Sequence, residues 1–90
     1  MVYLISYDLH QEGRDYKSLF DTIKSCSTGT WWHYLESTWI IKSNLTVNQI
    51  SEKIKNVSDD NDNFLVIEVI NNKQGWLPQE AWGHLNNSVF

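Results

Sequence analysis

The hydrophobic pattern of this chain changes period several times, and each change marks an element. Residues 2–8, VYLISYD, are apolar at almost every position and rich in β-branched and aromatic types, which predicts a central strand covered on both faces. After a polar loop containing Gly13 the period becomes helical, with Tyr16, Leu19, Phe20, Ile23 and Cys26 on one stripe, Asp15 as the expected N-cap and Gly29 past the end. Residues 31–42, WWHYLESTWIIK, are dense in β-formers. They allow either one bent strand or two strands reversing near Glu36 and Ser37, because no Gly, Asn or Pro marks a turn. Thr46 and Gln49 have the spacing of a capping box, and Val47, Ile50, Ile54 and Val57 form a second helical stripe. NFLVIEVI, residues 63–70, alternates Leu65, Ile67 and Val69 against Phe64, Val66, Glu68 and Ile70, as a strand with one mostly dry face does. Pro78 opens a short last helix with Ala81, Trp82 and Leu85 as its stripe.

The resulting order, strand, helix, strand, strand, helix, strand and a short C-terminal helical extension, predicts an α+β fold of the ferredoxin-like βαββαβ type with two helices on one face. Right-handed crossovers place the first and third strands side by side at the centre of an antiparallel sheet. The exit of the first strand then meets the entries of the third and fourth, so Asp8 is expected near Ser37, Thr38 and the Asp60 to Asn63 turn. Ninety residues support a single core, and the whole of 1–90 is expected to be one domain.

Composition narrows what such a domain binds. Hydrophobic residues at 41% and charged residues at 20% fit an ordinary globular chain, with no apolar run long enough for a membrane span. The amino terminus has no basic n-region or cleavage motif, so a cytoplasmic protein is expected. A lone Cys26 reads as a small apolar helix residue, and three scattered histidines make no zinc site. The net charge is −4 with only seven Lys and Arg, which weighs against extended duplex DNA, whose affinity comes mainly from many cationic contacts to phosphate. A single nucleotide or short single strand needs fewer cations, because stacked aromatics and backbone amides share the work. The aromatic share of 13%, with five Trp, exceeds what a small core hides and predicts aromatic surface at an interface.

Three constellations carry candidate chemistry. Asp8 ends an apolar strand at the edge of the core, where a carboxylate must be hydrated, hydrogen-bonded or bound to a cation. It reads equally as a strand-end acceptor or as a ligand. A two-fold dimer would bring two copies of Asp8 together around Mg²⁺, whereas Asp59, Asp60 and Asp62 read as a solvated turn. His10, Gly13, Arg14 and Tyr16 combine a permissive backbone, a donor fork and a helix start, a set suited to a phosphate although the spacing is not that of a P-loop. Trp31, Trp32, His33, Tyr34 and Trp39 form the third. Strand alternation forbids both Trp31 and Trp32 from the core, so one serves base stacking or a dimer contact. Tyr7, Ser37, Thr38 and Trp39 complete the expected rim. No nucleophile elbow or cysteine-histidine signature points to acyl transfer.

The segments YLISYDL, G-R-D-Y, W-x-H-x-L-E-S-T-W-I-I-K-S-N-L and D-x-x-D-x-F-L-V-I, in that order, resemble the SinR-like family of small bacterial and phage proteins, over nearly the whole chain. That label does not denote the helix-turn-helix repressor of the same name. More distantly, the strand ending in Tyr7-Asp8 is similar to CRISPR-associated protein 2 and the VapD toxins, ferredoxin-like homodimers. Their matching aspartate, linked to metal-dependent nuclease activity or scaffolding on DNA, corresponds to Asp8, and their strand serine to Ser37. The resemblance implies a homodimer.

Three functions follow as expectations. The first is a homodimeric binding module for a nucleotide or short nucleic acid, held near Tyr7, Asp8, His10, Arg14, Tyr16, Thr38 and Trp39 with Trp32 and Ser37, sequestering a signalling nucleotide in phage-host conflict. The second is a Mg²⁺-dependent nuclease using Asp8. The third is a structural subunit whose aromatic surface meets another protein.

Overall fold

Strand β1, Val2–Asp8, is the axis of the sheet. The computed structural model, which describes residues 1–8 and 16–90, places it between two antiparallel neighbours. Helix α1 is Lys17–Cys26, and the hairpin strands are β2, Trp31–Leu35, and β3, Thr38–Lys42. Helix α2, Val47–Lys55, leads to β4, Asn63–Glu68, and α3, Gln79–His84, runs into a π-helical turn over Leu85–Val89. The result is a small α+β fold with a four-stranded antiparallel sheet in the order β2-β3-β1-β4. No helix among the described residues is long and apolar enough to cross a membrane.

One face of the sheet is finished by α1 and α2. Tyr3, Ile5 and Tyr7 of β1 and Trp39 and Ile41 of β3 point to that side and pack with Leu19, Ile23, Ile50 and Ile54. Burial of these side chains at roughly 1.5–3 kcal/mol each is the main driving force for closing the sheet on the helices. The capping box at the start of α2 forms as its spacing predicts: the Gln49 amide donates to Thr46 Oγ1 at 3.2 Å and the Thr46 amide to Gln49 Oε1 at 2.9 Å. Asp15, the expected cap of α1, lies outside the described residues. Buried Ser43 ties the end of that helix to the sheet, donating from Oγ to the Cys26 carbonyl at 2.6 Å.

The opposite face is covered only in part. α3 and the π-helical turn lay Ala81, Leu85 and Val89 over Trp32, whose indole N–H donates to the Ala81 carbonyl at 3.0 Å. Val2 and Ile40 are half-buried at the margin of that cluster. The expectation of a first strand covered on both faces is therefore corrected: Tyr3, Ile5 and Tyr7 are buried, whereas Val2, Leu4 and Ser6 are only half-buried. The last strand also ends at Glu68, two residues short of the expected stretch.

Residues 31–42 form a hairpin, with Leu35 opposite Thr38. Its turn, Glu36 and Ser37, has no left-handed residue, since no described non-glycine residue has positive φ. A two-residue turn of that kind mismatches the twist of its strands. The ladder absorbs the mismatch in a register shift between Trp32 and Leu35. At the other end of β2, Gly29 takes φ of 104°, a conformation that side chains disfavour, as the chain leaves α1.

Candidate functional site

Three chain segments converge where β1 ends. The Tyr7 amide donates to the Ser37 carbonyl at 3.1 Å, which fixes the β2–β3 turn beside the strand exit. The start of α1 supplies Tyr16 and Phe20. Together they bound an open cleft of about 400 Å³ whose described lining is Tyr7, Asp8, Tyr16 and Phe20 on one side and His33, Glu36 and Ser37 on the other.

The floor of the cleft is a connected aromatic layer. Tyr16 stacks on Phe20 with centroids 6.0 Å apart and planes 16° from parallel. His33 lies flat on Trp39, at 4.0 Å and 8°, with Phe20 packed against both rings. The His33 Nδ1 is 3.1 Å from the Thr38 carbonyl oxygen. A carbonyl only accepts, so Nδ1 is the donor in this contact. Beneath this layer the Trp39 indole N–H donates to the Tyr7 hydroxyl at 3.1 Å, and that hydroxyl approaches the Glu36 carbonyl at 3.4 Å. Burial pushes the Tyr7 phenol above its ordinary value, against the opposing pull of the Trp39 hydrogen bond, with Tyr16 and Glu36 adding to the rise. Tyr7 is a neutral phenol under ordinary conditions.

Asp8 and Glu36 are both exposed at the rim, so the described lining holds two carboxylates and neither lysine nor arginine. It offers acceptors, hydroxyls and flat faces. Such a set suits a planar group that donates N–H bonds along its edge and stacks with its face. Among the described residues no three His, Cys, Asp or Glu side chains gather as metal ligands. The Asp59 to Asp62 turn instead closes on itself, with the Asp59 amide donating to Asp62 Oδ2 at 2.8 Å and the Asp62 amide to the Asp59 carbonyl at 3.0 Å.

Of the residues singled out in the sequence, Tyr7, Asp8, Tyr16, His33 and Ser37 meet in the cleft, and Trp39 supports it from below. Trp31 and Tyr34 line a separate hollow, and Trp32 and Thr38 are on the other face. Trp32 is 1% exposed on the opposite face, committed to Ala81, and Thr38 lines a separate apolar groove on that side. Alternation sends residues 32 and 38 away from the cleft, which corrects their placement at its rim. His10 and Arg14 lie outside the described residues. Phe20 and Glu36 also line the cleft, although the sequence marks the first only as a member of the α1 stripe and the second only as a turn residue. A signal for both exists in the topology, because the first turn of α1 and the β2–β3 reversal must flank the exit of β1.

Comparison of the chain with protein families, with characterised proteins and with solved structures finds no match.

Proposed function

We propose that this chain is a small homodimeric module of ferredoxin-like topology that binds a nucleotide or short single-stranded nucleic acid, with the cleft at the end of β1 receiving a base. The strand order β2-β3-β1-β4 supports the topology. One observation carries the ligand class: the cleft joins stacking faces at Tyr16, Phe20 and His33 to acceptors at Asp8 and Glu36. A base offers the complement, a flat π-face and ring or exocyclic N–H donors, and stacking of this type contributes about 1–3 kcal/mol per base. The acidic balance of the chain favours such base-end recognition over tracking of a duplex backbone. Sequestration of a free nucleotide, without turnover, is the biological role that accords with this chemistry, and the SinR-like resemblance belongs to the same reading.

Thermal-shift measurements with mono-, di- and cyclic nucleotides test it. A ligand at a hundredfold its dissociation constant stabilises the fold by about 2.7 kcal/mol, enough to move the melting curve by several degrees. Asp8→Asn is expected to weaken that response. If no nucleotide shifts the curve, the reading fails.

A second reading, Mg²⁺-dependent phosphodiester cleavage, draws on the presence of two carboxylates at one cleft. Asp8→Ala would then abolish cleavage of single-stranded RNA or DNA while the protein stays folded. Equal cleavage by the parent and the variant removes it.

A further inference from the structure

Among the described residues no strand pairs with the outer rim of β4. β4 is the terminal strand on its side of the sheet, and β1 is its neighbour. The orientation of its backbone follows from two hydrogen bonds: the Tyr7 amide donates toward β3, to Ser37, and the Val69 amide donates to the Val2 carbonyl on the β4 side. Successive residues of a strand direct their backbone groups to opposite sides, and Leu4 and Ser6 of β1 stand opposite Ile67 and Leu65. Leu65, Ile67 and Val69 therefore bond toward β1. Phe64, Val66 and Glu68 aim their N–H and C=O groups away from the sheet.

Edge strands of proteins that stay single are blunted by lysine, proline, a bulge or a covering segment. The stretch NFLVIE has no lysine and no proline, and its pairing with β1 runs without a register shift. Its side chains toward the partly covered face, Leu65 and Ile67, are 58% and 47% exposed.

We propose that a second copy of this chain pairs with that rim, β4 against β4, antiparallel about a two-fold axis at Val66. The choice of a second copy comes from the self-complementarity of the strand. In this register Val66 faces Val66 and Phe64 faces Glu68 of the other copy, so every outward N–H and C=O of the strand gains a partner. Leu65 then falls opposite Ile67 of the other copy at the closer, non-hydrogen-bonded spacing, and twice over, forming an apolar patch across the axis. No like charges stand opposite one another. An axis one position earlier would set Glu68 against Asp62 of the other copy, and one position later would leave Phe64 facing Ile70, beyond the strand. On a chain of net charge −4, two copies repel except where they are uncharged, and this rim carries Glu68 alone. The proposal rests on the self-association stated above and not on the identity of the ligand.

Sedimentation velocity on the full chain tests it with a charge exchange. The parent should sediment with the mass of two chains. Leu65→Lys with Ile67→Lys, and separately Leu65→Glu with Ile67→Glu, should each sediment as one chain, their dimer dissociation constants raised at least about tenfold by like charges across the axis. An equimolar mixture of the two variants should restore the two-chain mass, since Lys then faces Glu at both pairs. Leu35→Lys, at the opposite edge of the sheet, should leave the parent's mass unchanged. Circular dichroism establishes that each variant is folded, and the single substitution Ile67→Lys replaces a double variant that is not. A parent of one-chain mass overturns self-association and this interface together. Folded double variants that keep the two-chain mass, a mixture that stays dissociated, or dissociation by Leu35→Lys overturn the interface alone.

Discussion

The two faces of the sheet are built to different degrees. On the helical side the inward residues of β1 and β3 share one buried cluster with α1 and α2, and the largest of them, Trp39, is 1% exposed with its N–H bonded. On the other side a six-residue helix and one π-helical turn cover Trp32 but leave Leu65, Ile67, Ile70 and Trp76 in water. The first face is a self-sufficient core. The second resembles a domain core cut in half, which is the character of surfaces that meet another protein.

Substitutions that sample each face measure this difference. The largest loss is expected for Trp39→Ala, about 3–5 kcal/mol in urea unfolding, because a large cavity opens under the cleft and the Tyr7 hydroxyl loses a donor. Trp32→Phe should cost about 1–2 kcal/mol, since it removes the indole hydrogen bond to the Ala81 carbonyl, which keeps only that of the Leu85 amide, and thins a smaller cluster. Its effect should concentrate in faster hydrogen exchange of the α3 amides, by local opening. Equal costs at Trp39 and Trp32 would erase the distinction between the faces.

Tyr7→Phe should cost about 1 kcal/mol near neutrality, through the lost hydrogen bond with Trp39. Its larger signature is alkaline. Burial raises the phenols of Tyr3 and Tyr7 above the ordinary 10.0, so the folded chain keeps protons that the unfolded chain releases. Their contribution is fully present below about pH 10 and is lost as the pH rises through the folded values. Tyr7→Phe should flatten that decline, as read by chemical denaturation at stepped pH. The smallest effect belongs to Leu65→Thr, within about 0.5 kcal/mol for a dissociated chain, since its side chain is mostly in water already.

What could be read without coordinates was what depends on local period. The stripes of both helices, the capping box at Thr46 and the meeting of Tyr7, Asp8 and Ser37 follow from alternation and element order alone. The β2–β3 reversal stayed open because Glu36 and Ser37 carry none of the residues that favour left-handed backbone, and the chain adapts through a register shift instead. Alternation forbids burial of both Trp31 and Trp32 without saying which is exposed. That was decided by where α3 docks, a contact between distant parts of the chain that no local pattern encodes. Phe20 lay hidden for a similar reason: its role is set by the rings of His33 and Trp39 from other elements.

The central position of β1 has a kinetic consequence. Both of its neighbours come from much later in the chain, with Val2 paired to Lys42 and Tyr3 to Glu68. The middle of the sheet therefore cannot assemble by zipping outward from a hairpin. Each of its pairings closes a long loop of chain, so folding should be slow for a chain of this size.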